Sequence, residues 1–129
     1  MNYRTLFIIN SFFAFLFGAA FLFVPTLAMK QFGVDNYAST KMVAQFFGTA
    51  MLALGLLLWF AKDVTEESVQ RGMGFGLMIG DLAGLIVAIM GAVGGILRSN
   101  GWLAMLIYLI FGLGAAYLVF LKPRINEKL

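Results

Sequence analysis

The chain has 129 residues, 62% of them hydrophobic and only 12% charged, with a formal net charge of +3. Soluble domains carry about 25% charged residues, so this chain has too little polar surface to cover a water-soluble globule, and a lipid bilayer is its expected solvent. With no Cys and no His it lacks the usual ligands of zinc, iron–sulfur and haem centres, a Cys or His nucleophile or base, and any disulfide, so no metal, no cofactor and no enzymatic constellation is expected.

Four apolar runs, 6–24, 42–60, 73–97 and 102–121, meet the requirement of about 20 residues to cross about 30 Å of hydrocarbon. They predict an all-α integral membrane bundle of four transmembrane helices, a single domain over 1–129. Arg4 before the first run and Thr26-Leu27-Ala28 behind it resemble a secretory signal. Its apolar core exceeds the roughly 7–15 residues of such signals, so it is expected to remain as a span. The phenylalanines of SFFAFLFGAAFLF surround most of this helix, which places much of its surface in lipid or against another subunit, while Asn10, Ala14 and Gly18 share one small-residue face. Pro25 closes the run.

The connection PTLAMKQFGVDNYASTK sets Leu27, Ala28 and Phe32 beside Lys30, then turn-forming Gly33, Asp35 and Asn36. That order predicts a short interfacial helix ending in a turn, with Ser39 or Thr40 capping the second span. Ala44 and Gly48 give the second span its own small-residue face. In AKDVTEESVQR, Asp63 and Glu66 have the spacing of a capping box, so the third helix, the longest, is expected to begin near Val64 and to enter lipid near Gly72.

Gly72, Gly76, Gly80, Gly84, Ala88 and Ala92 stand four apart along that third helix. Each step advances about 40° around the axis, so the six form one winding groove. In lipid, where apolar burial drives little helix association, such a groove admits another backbone for dispersion contacts and weak Cα–H···O bonds. The third span is therefore expected to be the centre of helix packing. Asp81 is the only charged residue within a span, about 13 Å past the start of the membrane region, on the flank of the groove. A central charge costs at least about 2.5 kcal/mol on insertion scales, so Asp81 is expected to face the bundle, in its ionised or its protonated form. Asn10, Thr49 and Tyr108 lie at comparable depth and complete a candidate buried polar cluster. Its structural reading is a hydrogen-bonded tie between helices; its functional reading is a carboxyl that titrates or coordinates a cation during transport.

After the tight turn RSNG, the fourth span carries Ala104, Gly112 and Ala116 on one face, interrupted by Tyr108, and ends at Pro123. Tyr3, Trp59, Trp102 and Tyr117 stand near span ends, as an interfacial belt requires. Eight methionines are scattered over the chain, a pattern of flexible apolar packing and not of soft-metal transport. With four spans, Arg4, Lys62, Arg71, Lys122, Arg124 and Lys128 fall on one side, against Lys30, Lys41 and Arg98 on the other. The positive-inside rule then predicts cytoplasmic N- and C-termini in a bacterial inner membrane, with basic residues against lipid headgroups and no nucleic-acid partner.

A phenylalanine-rich first helix ending at Pro25, then QFFGTAMLALGLLLWFAK with Gly48, Gly55 and Trp59, a polar turn, a glycine-rich third helix and a fourth beginning near Trp102 resemble small uncharacterised bacterial four-helix membrane proteins, loosely of the DoxX-like kind. The resemblance covers nearly the whole chain, implies the four-helix architecture and carries over no catalytic residues. The function expected from the small-residue faces is a structural, accessory or assembly component, a homo-oligomer or a subunit of a larger membrane complex. The alternatives are a small homo-oligomeric transporter or channel using Asp81 and, with less support, a lipid- or quinone-binding membrane protein.

Overall fold

In the computed structural model the described residues are 2–98 and 100–122, and all their regular structure is helical. The elements are α1 (Tyr3–Phe23), α2 (Pro25–Gln31), α3 (Ala38–Ala61), α4 (Glu67–Val93) and α5 (Trp102–Ala116), continued by a π-helical turn over Tyr117–Leu121. Four helices are long and apolar enough to cross a membrane: α1, α3, α4, and α5 taken through Leu121. A helix satisfies its own backbone groups, which a segment in lipid must do. The short α2 is the helix expected in the first connection. Pro123, Arg124, Lys128 and Ser99 of the RSNG turn lie outside the described residues.

Local chemistry sets the helix ends. The Asn2 side chain accepts from the Thr5 backbone N–H at 2.9 Å and caps α1, and Pro25 occupies the first turn of α2, where its missing N–H is not needed. Gly33 and Gly95 have φ of 70° and 75°, the left-handed conformation that closes a helix. At the first, Val34 N–H donates to Met29 C=O and Gly33 N–H to Lys30 C=O; at the second, Ile96 N–H donates to Gly91 C=O and Gly95 N–H to Ala92 C=O. These are paired Schellman bonds, and the second pair ends α4 at Val93, short of the expected 97.

Two expected caps are not formed. The first helical residue of α3 is Ala38, so Ser39 and Thr40 lie inside its first turn. Glu66 precedes α4 without a side-chain cap bond, and Asp63 is held elsewhere, accepting from Lys62 Nζ at 2.9 Å and Arg4 Nη1 at 3.0 Å. Two cationic donors outcompete a backbone amide for a carboxylate. Lys62 first, and then Arg4, hold this exposed carboxyl below the ordinary carboxylate range.

The helices pack as two pairs, α1 with α3 and α4 with α5; α3 and α4, although consecutive, have no packed seam. In the first pair the small-residue faces meet. A Cβ on Gly18 would stand 2.9 Å from Gly48 O and 2.9 Å from Leu52 N, and one on Gly48 would stand 2.7 Å from Leu22 N. Ser11 Oγ donates across this seam to Gly55 C=O at 2.8 Å. The α1 span is 33% buried and the α4 span 6%, so the centre of packing is α1 and not the glycine-rich third span. Phe7, Ser11, Ala14 and Gly18 are buried along α1, which leaves less of it for lipid than its phenylalanine content suggests.

The two pairs are tied at their ends. At one, Tyr3 Oη donates to Leu118 C=O at 3.1 Å, a carbonyl in the π-helical turn, and its ring covers Gly74, where a Cβ would meet Tyr3 Cε1 at 2.8 Å. Leu6, Phe7, Leu58, Ala61, Ala115 and Leu118 form the buried apolar core there. At the other end, Arg98 N–H donates to Phe32 C=O at 2.9 Å, Arg98 Nη2 to Asp35 Oδ1 at 2.7 Å, and Asn100 N–H to Gln31 C=O at 3.2 Å. The middle is left open.

Candidate functional site

Between the end ties lies an apolar cleft of about 980 Å³. Phe13, Phe17 and Phe21, in steps of four along α1, make one wall, and Phe47 from α3 and Phe111 from α5 face them. Phe13 meets Phe111 edge-on with centroids 5.1 Å apart, and Phe21 meets Phe47 edge-on at 5.2 Å. The exposed lining residues are Val43, Phe47, Leu57, Gly76, Gly80 and Val87. All six belong to α3 or α4, so the cleft opens sideways between those two helices.

The polar lining comes mainly from the expected cluster. Asp81, near the middle of α4, sits on the wall with its Cβ against Gly112 of α5, where an added Cβ would lie 3.4 Å from it. Its Oδ2 is buried and has no hydrogen-bond partner. Asn10 is buried on α1 and donates through Nδ2 to Leu6 C=O at 2.9 Å, which satisfies it within its own helix. Tyr108 lies on the same cleft with its ring over Gly84. Thr49 does not join them. It is exposed, and its hydroxyl donates back to Gln45 C=O at 3.1 Å, the usual way a threonine hides its hydroxyl on a helix in lipid. The structure thus places Asp81, Asn10 and Tyr108 on the lining of one cleft, with no hydrogen bond between them, and Thr49 outside it.

The glycine groove divides in two. At its lower half Gly84 receives the Tyr108 ring and Ala88 is buried, so these positions pack against α5, with Ala92 half-buried below them. At the upper half Gly72, Gly76 and Gly80 have nothing within 4 Å of where a Cβ would stand. No backbone enters the groove there. Gly76 and Gly80 instead line the cleft, whose α1 and α3 walls carry bulky Phe13, Phe17 and Phe47. The aromatic row on α1 was visible in the sequence as a spacing of four. Its inward direction was not, because phenylalanines occur around the whole helix, and Phe12 and Phe23 point outward at 63% and 75% exposure.

Among the described residues no group of His, Cys, Asp and Glu could hold a metal ion. The polar groups on the cleft are the Asp81 carboxyl, the Tyr108 phenol, the Asn10 carboxamide and the Thr40 hydroxyl, set among several aromatic faces in an apolar space that opens between α3 and α4. Comparison with known proteins returns no matching family model, no matching curated protein and no matching solved structure.

Proposed function

We propose that this is a membrane protein that takes a lipophilic small molecule from the bilayer into the cleft between its two helix pairs. The observation that carries the reading is the 980 Å³ apolar cleft whose exposed lining is confined to α3 and α4. Pockets for drug-sized molecules measure about 300–1,000 Å³ and are mostly apolar with a few polar groups, which is the make-up found here. Entry from the side suits a ligand that resides in lipid. Native mass spectrometry after mild-detergent extraction tests it: the wild-type chain is expected to retain or rebind a lipophile, and the double variant Gly76→Leu, Gly80→Leu to lose it with its thermal unfolding unchanged. Failure of the wild type to bind any of a panel of neutral, anionic and cationic lipophiles overturns the reading.

The accessory or assembly role is the second reading, favoured by the open glycine face at Gly72, Gly76 and Gly80, which has room for a helix of another chain. A stable monomer without co-purifying protein in native membranes overturns it. A bacterial inner-membrane location, cytoplasmic termini and kinship with loosely DoxX-like proteins belong to the same proposal and rest on the basic-residue bias and the layout of the chain. Reporter fusions at each terminus test the orientation.

A further inference from the structure

We infer that the cleft selects lipophilic organic cations over neutral and anionic lipophiles; this deepens the reading of the cleft as a ligand site and rests on it. Among the described residues Asp81 is the only one of a charged type on the lining, and its Oδ2 is buried with no partner. The described basic side chains do not supply a counter-charge there. Arg4 and Lys62 hold Asp63, Arg98 holds Asp35, and none of Lys30, Lys41, Arg71 or Lys122 is on the lining. A carboxyl set in an apolar space takes up a proton or is paired, and a positive group brought by the ligand supplies the pair.

The rest of the wall favours the same charge. Phe13, Phe17, Phe21, Phe47 and Phe111 line the cleft, and aromatic faces attract cations and repel anions. A neutral lipid leaves Oδ2 unpartnered, and an anion meets both the carboxyl and the ring faces. Gly80, also on the lining, has no neighbour within 4 Å of an added Cβ, so the cleft has room for a bulky charged centre. Delocalised or alkyl-shielded cations suit such a site because they shed water readily, whereas a compact ammonium does not.

Tetraphenylphosphonium and tetraphenylborate have nearly the same shape and opposite charge, so they separate charge selection from shape. Binding is measured by equilibrium dialysis on the full chain in nanodiscs, with empty nanodiscs subtracted. Wild type is expected to bind tetraphenylphosphonium saturably. Asp81→Asn should weaken that by at least 10-fold while strengthening tetraphenylborate, and Asp81→Glu should restore most of the wild-type preference. Should Asp81→Asn fail to fold, the pair Phe17→Leu, Phe47→Leu is expected to weaken tetraphenylphosphonium several-fold with neutral lipophiles unaffected. Equal tetraphenylphosphonium binding in wild type and Asp81→Asn, or equal binding in wild type and the Phe17→Leu, Phe47→Leu pair, overturns charge selection. If neutral lipophiles still bind and the double variant Gly76→Leu, Gly80→Leu still expels them, the ligand site itself stands. A dimer that admits no probe of any charge places a helix of a second copy in the cleft and overturns both.

Discussion

The crossing of α1 and α3 and the upper wall of α4 are built from the same material, glycines in an apolar helix, and they end in opposite states. At Gly18 and Gly48 each absent side chain is replaced by the neighbour's backbone, with heavy atoms 2.7–2.9 Å from the missing Cβ. At Gly76 and Gly80 the absent side chains are replaced by nothing within 4 Å. What differs is the company. Ser11 and Ala14 continue the close approach on α1, and Ser11 bonds Gly55 C=O across the seam, whereas the surface opposite Gly76 and Gly80 carries phenylalanine rings. In lipid, helices associate by shape, so a glycine makes a close approach available and the opposing residue decides whether it happens.

Four changes would break or sharpen that contrast. Gly48→Leu should be the most severe, because its Cβ alone would collide with Leu22 N and Gly18 O; a loss of about 3 kcal/mol or failure to fold is expected, read by thermal unfolding and size-exclusion in detergent. Ser11→Ala removes the bond across the same seam and should cost about 0.6–1.7 kcal/mol in the same assay. Gly80→Leu has free space and should stay within about 0.5 kcal/mol of wild type; a loss like that of Gly48→Leu would mean that the α4 face is covered after all. The smallest effect concerns Asp63, whose carboxyl is held below the ordinary range by Lys62 and Arg4. A lowered carboxyl contributes at neutral pH and loses that contribution as the pH falls below about 4. The small stability difference between wild type and Asp63→Asn should therefore vanish on acidification and shrink in high salt, and a difference that grows on acidification would refute the assignment.

The sequence makes the four spans legible because twenty apolar residues have few other uses, and Pro25 and the turn residues Gly33, Asp35 and Asn36 mark the first connection well. It also shows that Asp81, Asn10 and Tyr108 lie at similar depth. Thr49 is expected at that depth, but it adjoins Gly48, which meets α1 at Gly18, about two turns from Asn10, and it faces outward; α3 is apolar nearly all round, so its polar residues give no inward mark. The open half of the glycine groove was hidden for a related reason. Spacing tells which residues share a face, while occupation of the face depends on side chains two helices away. Arg98 reaching Asp35 and Phe32 joins two loops distant in sequence, and no local pattern announces such a pairing.

Tied at both ends and open along one side, the cleft, as the proposed ligand site, would exchange with the hydrocarbon phase and not with water. The hydrophobic effect then acts at the step that brings a ligand into the membrane and adds little to the step that moves it from lipid to protein, since the two surroundings are equally apolar. Occupancy follows the ligand's mole fraction in lipid: at fixed amounts of protein and ligand, adding lipid empties the site. A dissociation constant quoted per litre of buffer would vary with the preparation, and the quantity that belongs to this molecule is a ratio of lipid-phase activities.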